Sequence, residues 1–433
     1  MTQDLRVAII GAGPAGVTLA AQLRPLSHLS VELFEASGEV GGQSQTYIVD
    51  DVKVELGTAY LTAGYRIVRD LAAEVGCPAE VLPKATMLDD AGREVEHPSP
   101  DPGLMVKFVA EWWRWHRSGQ MELPSDAANH QRFDAWLRER GLGALVESFS
   151  FAAGLTAQLY GPIPAVTAHN ALTWMRPSLF YTGELGRTAH IPAGFETLWR
   201  RLAERSQAKI HLNTTIKGLQ RGPSGWTLDA PVDQGPFDHV FIACPLDALE
   251  SPLSAPLRDR FGPFEASRVY SAVWRARSWP KFAASRCYLP ACSTNARGRL
   301  LTIRRNGGDG TRSVGQLCAY AERGLSLEGH RQRMIDDAAR IVGLKEIEIK
   351  IDRLWRYNIR YSPAQLKADL PRFIAEAQGD KGVWYTGGLL SHWNVDSITD
   401  FNHELVQAFA KRIGAPLRER RELWRLDEPL RDL

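Results

Sequence analysis

Arg6-Val7-Ala8-Ile9-Ile10, Gly11-Ala12-Gly13-Pro14-Ala15-Gly16 and Glu32-Leu33-Phe34-Glu35 decide the fold of this chain. The first run is apolar and β-branched, the second is a GxGxxG turn, and the third ends in an acid. Between them Val17, Leu19, Ala20 and Leu23 trace an apolar helix face, so the whole predicts one βαβ unit. Gly11 allows the tight turn, Gly13 lets backbone N–H groups approach a pyrophosphate at the positive helix N-terminus, and Gly16 lets helix and strand pack closely. Ala12, Pro14 and Ala15 complete the turn, and Glu35 is placed to accept hydrogen bonds from a ribose hydroxyl. A GxGxxG alone says little. Set between a strand and a helix, with an acid about 20 residues on, it predicts a dinucleotide site.

Gly38-Glu39-Val40-Gly41-Gly42-Gln43-Ser44-Gln45-Thr46 follows at once. An NAD fold needs no such Gly-Gly loop here, whereas two-dinucleotide-fold flavoproteins resemble this chain in placing one under the FAD phosphates and ribityl chain. That likeness moves the expected cofactor to FAD; a plain turn between strands is the alternative. Glu55-Leu56-Gly57-Thr58-Ala59-Tyr60 is a small-residue turn that suits either a flavin face or a strand-to-helix connection. No second GxGxxG follows a strand, which argues against an NAD(P)H domain.

Composition narrows the class. The 433 residues are 44% apolar, enough for two or three domains with real cores. Lys and Arg (52) nearly balance Asp and Glu (50), so nothing in the total charge calls for nucleic acid. Five cysteines without a CxxC read as buried or inert thiols, and no metal site is expected. No apolar run reaches the ~18 residues of a spanning helix, and a cytoplasmic location is expected.

The middle of the chain divides by pattern. Ile67 to Val75 reads as helix, Val81 to Val95 as a small β element, and Pro98, Pro100 and Pro102 mark a boundary. Leu104 to about Leu202 reads as a helical insertion, in which Leu104, Phe108, Trp112 and Trp115 form a stripe. Such a stripe serves core packing; a lipid-like channel or transient membrane contact is the other reading. Strands are expected at Ile210 to Ile216, Trp226 to Leu228 and Asp238 to Cys244, the last group returning to the nucleotide fold. Val269 to Gly315 reads as a second, mostly antiparallel sheet with a hairpin at Asn306-Gly307-Gly308-Asp309-Gly310. Met334 to Val342 reads as helix, Ile347 to Ile351 as an edge strand, Val383 to Thr386 as a buried strand and Ile398 to Ile413 as a helix after the turn Gly387-Gly388.

The expected fold is therefore α/β. A discontinuous FAD-binding Rossmann-type domain of the two-dinucleotide-binding flavoprotein kind occupies 1–80, 203–250 and 380–415. A β-rich, mixed-sheet substrate domain occupies 81–100 and 265–379, and a helical cap 101–202. The charged tail 416–433 is either an interaction helix or a solvated terminus.

The ordered set GAGPAG, Glu35, GGQSQT, ELGTAY, IPAGFETL, IACPL and YTGGLLSHWNVDSITDFNHELV resembles the FAD-dependent amine oxidase and phytoene desaturase superfamily, and within it the polyenoic fatty acid isomerase type. The resemblance implies FAD pyrophosphate on Gly11, Ala12, Gly13, Ala15 and Gly16, with the adenosine ribose on Glu35. It further implies Gly41, Gly42, Gln43 and Ser44 along the ribityl-phosphate path, Gly57, Thr58 and Ala59 on the isoalloxazine, and Ile216 at the adenine. Gly388, Asn394 and Val395 would close over the pyrophosphate and the pyrimidine side. A second glycine, Gly388, stands where related enzymes often carry an acid. Isomerases of this type line a substrate tunnel with aromatics and a gating Arg, to which Phe151, Phe180, Tyr181 and Lys84 correspond loosely.

The implied chemistry is hydride abstraction from an allylic C–H of a hydrophobic small molecule, with return of the hydride for a double-bond isomerisation. An oxidase or desaturase acting on an amine, carotenoid-like or carrier-bound polyene is the alternative, and a non-catalytic flavoprotein a third. His190, His392 and His403 are the candidate bases, and His392, just after the Gly-Gly turn, leads them. No reading of the residues fixes the oligomeric state.

Overall fold

The computed structural model describes residues 4–62, 65–83, 85–96, 99–119, 124, 126–155, 163–174, 188–231, 235–277, 279, 286–288, 291, 297–309, 311–391 and 394–415. Two large sheets organise it. The first has five parallel strands in the order Lys209–His211, Leu29–Phe34, Leu5–Ile10, His239–Ile242 and Val383–Tyr385. Strands covered on both faces read as unbroken apolar runs, which is how Val7 to Ile10 and Val240 to Ile242 read.

One face of this sheet is covered by the helices Pro14–Leu23, Phe195–Ser206 and Val395–Arg412. Phe195, Leu198, Trp199 and Leu202 bury there with Leu19 and Phe409. The helix Phe195–Ser206, expected at the close of the cap, thus packs on the nucleotide fold, because its apolar residues fall on one stripe that matches the Pro14–Leu23 helix. The opposite face carries Trp226, Leu246, Phe261 and Tyr385.

Two strands differ from expectation. The returning strand stops at His211, since Asn213 takes a left-handed φ of 53° and turns the chain away. Trp226 to Leu228 pairs with Leu219–Gly222 in a separate hairpin outside the parallel sheet.

The second sheet has seven strands, in the order Lys345–Arg360, Glu265–Arg277, Arg312–Tyr320, Thr302–Gly307, Arg286–Tyr288, Thr86–Leu88 and Glu94–Val95. The short edge strand expected at Ile347 to Ile351 is the first third of a 16-residue strand. Pairing with Glu265–Arg277 carries it through Trp355 and Tyr357, with register shifts that keep the long edge twisted. The strands flanking the expected hairpin at Asn306 to Gly310, Thr302–Gly307 and Arg312–Tyr320, are antiparallel neighbours, and Gly310 lies outside the described residues. Val81 to Val95 is shared out: Glu80–Val81 joins a small sheet with Leu61–Thr62 and Thr188–His190, and Thr86–Leu88 and Glu94–Val95 join the large one.

The insertion contains the helices Pro102–Arg117, Phe133–Glu139, Leu145–Leu155 and Ala168–Trp174. Asp101 caps the first by accepting from the Leu104 N–H at 2.8 Å, and Pro102 follows where its missing N–H costs nothing. Its stripe is core: Phe108, Trp112 and Trp115 bury against Phe133, Trp136 and Phe149. Both buried indoles are satisfied, Trp112 on the Leu172 carbonyl at 2.8 Å and Trp115 on Asn129 Oδ1 at 2.6 Å. No helix among the described residues is long and apolar enough to cross a membrane.

Candidate functional site

The opening strand delivers the chain to Gly11, whose φ of 102° suits glycine alone and whose added Cβ would stand 3.1 Å from the Cys244 nitrogen. Gly16 packs tighter, since a Cβ there would lie 1.9 Å from the Gly11 carbonyl oxygen. The Gly-Gly loop then meets this turn: a Cβ on Gly42 would sit 3.0 Å from Gly13 Cα, and the Gly41 N–H donates to the Ala12 carbonyl at 2.8 Å. Loop and turn therefore approach as bare main chain. Glu35 accepts from the Ala12 N–H at 2.8 Å and from the Ser37 N–H and hydroxyl at 2.9 Å, which fixes its carboxylate at the rim.

The second glycine site works the same way. A Cβ on Gly57 would fall 1.7 Å from the Gln43 carbonyl oxygen, which accepts the Thr58 N–H at 3.0 Å. At the far end of the chain, Gly387 has φ 115° and releases the helix Val395–Arg412, capped by Asn394 through the Ser397 N–H at 2.8 Å. Asn402 on that helix donates to the Ala15 carbonyl and to the Thr18 hydroxyl, both at 2.8 Å, and accepts from Thr386. Two helix N-termini are thereby locked side by side.

These pieces enclose one cavity of about 420 Å³. Gly11, Gly13, Pro14, Ala15 and Glu35 line one end. Gly42, Gln43, Ser44, Gly57, Thr58 and Ala59 continue the wall, and Gly388, Asn394 and Val395 close it. Four of the expected residues stand behind the lining: Ala12 and Gly16 pack within the turn, Gly41 holds the loop, and Ile216 is buried with Phe34 and Trp226. Phe151 lies in the helix Leu145–Leu155; its side chain, and Phe180, Tyr181, Lys84 and His392, lie outside the described residues. His190 and His403 are not on the lining, and His190 Nδ1 instead meets Arg304 Nη2 at 3.3 Å.

The other wall comes from the seven-stranded sheet and was not anticipated. Val269 and Ser271 alternate along one strand, and Trp355, Tyr357 and Ile359 along its neighbour. The period-two spacing of that Trp-x-Tyr-x-Ile row was the available signal. Trp355 Nε1 donates to Ser271 Oγ at 2.6 Å, and Ser271 donates to the Leu56 carbonyl at 2.6 Å, tying sheet to glycine turn.

Three ionisable groups on the lining, Glu55, Cys244 and Cys318, are held neutral. Burial pushes the Cys244 thiol up to about 12 and the Cys318 thiol up to about 11, so neither is a nucleophile at neutral pH. Glu55 accepts from Phe195 N–H at 3.0 Å and from the Thr46 hydroxyl at 2.9 Å, yet burial, with Glu196 nearby, outweighs both donors and lifts its carboxyl to about 8. No group of His, Cys, Asp and Glu among the described residues could hold a metal ion.

The cavity fits a dinucleotide. Ser44 Oγ is buried on its wall with no hydrogen-bond partner, the Gly13–Gly42 approach leaves main chain open to a phosphate, and both helix N-termini point their positive ends at the same wall.

Known proteins support this architecture. A profile of the family described as flavin containing amine oxidoreductase matches residues 14–277, more than half of the chain. AofH of Mycobacterium tuberculosis, named as a flavin-containing monoamine oxidase, is 24% identical over 259 residues, 55% of this chain and 56% of its own length. The polyenoic fatty acid isomerase of Ptilota filicina is 22% identical over 263 residues, 51% of this chain and 52% of its own. The matched stretch thus spans about half the length of these curated relatives. Among solved structures, the fatty acid isomerase of P. acnes that produces CLA superposes with a TM-score of 0.79 at 18% identity, covering 94% of this chain and 99% of that one.

Proposed function

Because the chain belongs to the flavin-containing amine oxidoreductase family and is an enzyme of that family, we propose that it binds FAD and moves a hydride from an allylic C–H of a hydrophobic substrate, shifting a double bond of a polyunsaturated fatty acid or polyene. In this reading Gly11, Gly13 and Ala15 present main chain to the pyrophosphate, and Ala12 and Gly16 set the turn that carries them. Glu35 holds the adenosine ribose, with Ile216 packing toward the adenine end. Ser44 gives its free hydroxyl to the ribityl-phosphate path, and Gly57, Thr58 and Ala59 lie flat against the ring system. Asn394 and Val395 place the helix dipole at the pyrimidine edge.

When bound, FAD supplies hydride transfer, accepting from one carbon and, in an isomerisation, returning to another. The protein supplies the dry pocket. The observation that carries the substrate class is the sheet wall: Val269, Leu317, Trp355, Tyr357 and Ile359 are apolar or aromatic, and the thiols and the Glu55 carboxyl beside them are neutral. An allylic cation developing there meets ring faces and no nucleophile. The likeness to AofH favours a second reading, an oxidase or desaturase that leaves electrons on the cofactor.

Anaerobic incubation of the purified holoprotein with linoleic acid separates the two. Conjugated-diene absorbance growing while the flavin stays oxidised is the expected result. Lasting bleaching of the flavin without a conjugated product supports the oxidase reading instead. A colourless protein that takes up no FAD would defeat both.

A further inference from the structure

We propose that the seam between the helical insertion and the seven-stranded sheet holds a carboxylate-binding niche, built on Arg360 and Asn358, that receives the acid end of the substrate. The inference rests on the hydrophobic-substrate reading above and says which end of that substrate is recognised, and where.

Arg360 ends the long edge strand and is only 6% exposed. Its Nη1 donates to Ser267 Oγ at 3.0 Å and to the Asn358 carbonyl at 3.1 Å, and its Nη2 to the Ala165 carbonyl of the insertion at 3.4 Å. Among the described residues its Nε has no hydrogen-bond acceptor; the Glu265 carboxylate stands 3.7 Å away. That carboxylate is already taken, because Arg132 donates to both of its oxygens at 3.0 and 3.1 Å. Arg297 adds a third guanidinium to the field at Arg360. One acid therefore faces two bases, with a third positive charge acting on Arg360. Burial, with Arg132 and Arg297, lowers the Arg360 pKa to about 10, which still leaves it charged at neutral pH.

Asn358 gives the second, independent sign. It is fully buried, its φ is 49°, and among the described residues neither Oδ1 nor Nδ2 of its amide has a hydrogen-bond partner. Buried amides are almost always satisfied, and one held in a left-handed conformation with both ends idle is an arrangement that folding alone does not favour. The idle amide belongs to the residue whose carbonyl Arg360 reaches at 3.1 Å, and an amide donor with a surplus guanidinium matches the oxygens of a carboxylate.

Arg360 and Asn358 are not themselves on the lining, but their strand neighbours bring the niche up to the cavity. Tyr357 and Ile359, on either side of Asn358, both line it, and Ser267, which anchors Arg360, is the register partner of Tyr357. Ser267, Val269 and Ser271 share one sheet face, so the niche stands roughly 13 Å along the strand from Ser271, which is bonded to the glycine turn. That separation suits an alkyl chain with its reactive carbons at the glycine turn and its acid at Arg360.

The test compares linoleic acid with methyl linoleate on the holoenzyme, reading binding from the perturbed flavin spectrum. The acid should bind about tenfold tighter or more, since a site built for a hydrogen-bonding group rejects the analogue that lacks it. Arg360→Gln should weaken the acid to the level of the ester, leave the ester unchanged and keep the flavin content; Arg360→Lys should recover part of the preference. Equal affinity of the native enzyme for acid and ester overturns the niche even if every variant misfolds, and so does a variant that weakens both alike. A flavin spectrum that responds to neither overturns the substrate reading as well.

Discussion

Around Gly13, Gly42 and Gly57 the cavity wall is main chain brought against main chain, whereas around Val269, Trp355 and Tyr357 it is side chains set two residues apart on a pleated surface. At Gly57 the glycine wall tolerates no added atom, because a Cβ would fall 1.7 Å from the Gln43 carbonyl oxygen, and at Gly42 a Cβ would crowd Gly13 at 3.0 Å. The sheet wall is a palette: any side chain of fitting volume can occupy it without moving the backbone. One half of the cavity is fixed by geometry that all dinucleotides share, and the other can be rewritten for a new substrate.

The sharpest way to break this contrast is a pair of substitutions, one on each wall. Gly57→Val drives Cβ into the Gln43 carbonyl and should lose flavin binding and at least about 3 kcal/mol of stability, read from flavin absorbance and urea unfolding. Trp355→Leu should keep the flavin content and lower kcat/KM by about tenfold or more. If both variants lose flavin equally, the two walls are not separable.

Where the walls meet, Glu55 gives a smaller effect that depends on pH. Its carboxyl ionises near 4.5 when unfolded and at about 8 when folded, so the folded state holds the extra proton between those values. Its contribution is complete below pH 4.5 and is lost as pH rises toward 8. Glu55→Gln should flatten the decline in stability across that window, measured by urea unfolding at a series of pH values.

Smallest of all is Ser44→Ala. Because Ser44 Oγ has no partner among the described residues, removing it should leave the stability of the flavin-free protein within about 0.5 kcal/mol. Flavin affinity should fall by less than about tenfold, the worth of one neutral hydrogen bond. A stability loss without an affinity loss would assign the hydroxyl to packing.

The same contrast explains what the sequence disclosed. The glycine wall was legible because steric need leaves a local signature: only glycine fits at Gly11, Gly16 and Gly57, so GAGPAG and ELGTAY report backbone contacts directly. The parallel strands were legible as apolar runs, and the Trp112 stripe as a helix face. The sheet wall was not, because Val269, Gln316 and Trp355 come from three strands whose pairing no short stretch encodes. The helix Phe195–Ser206 shows a related blind spot: periodicity announces an apolar face without naming the partner that covers it, here the helix Pro14–Leu23. Ile216 failed to continue a strand for a local reason, the left-handed Asn213 ahead of it.

The bonds from Asn402 to Ala15 and Thr18 have a consequence for the order of events during synthesis. The strand Leu5–Ile10 finds a sheet neighbour in His239–Ile242, which pairs in turn with Val383–Tyr385. At ~5–20 residues per second, the first strand and helix leave the ribosome roughly 20–80 s before the helix that seals them. Parallel pairing at such separation is slow to nucleate, and the Pro14–Leu23 helix has only the Phe195–Ser206 helix to cover it in the meantime. The nucleotide fold begins with the strand Leu5–Ile10, but the helix Val395–Arg412 determines when it can close.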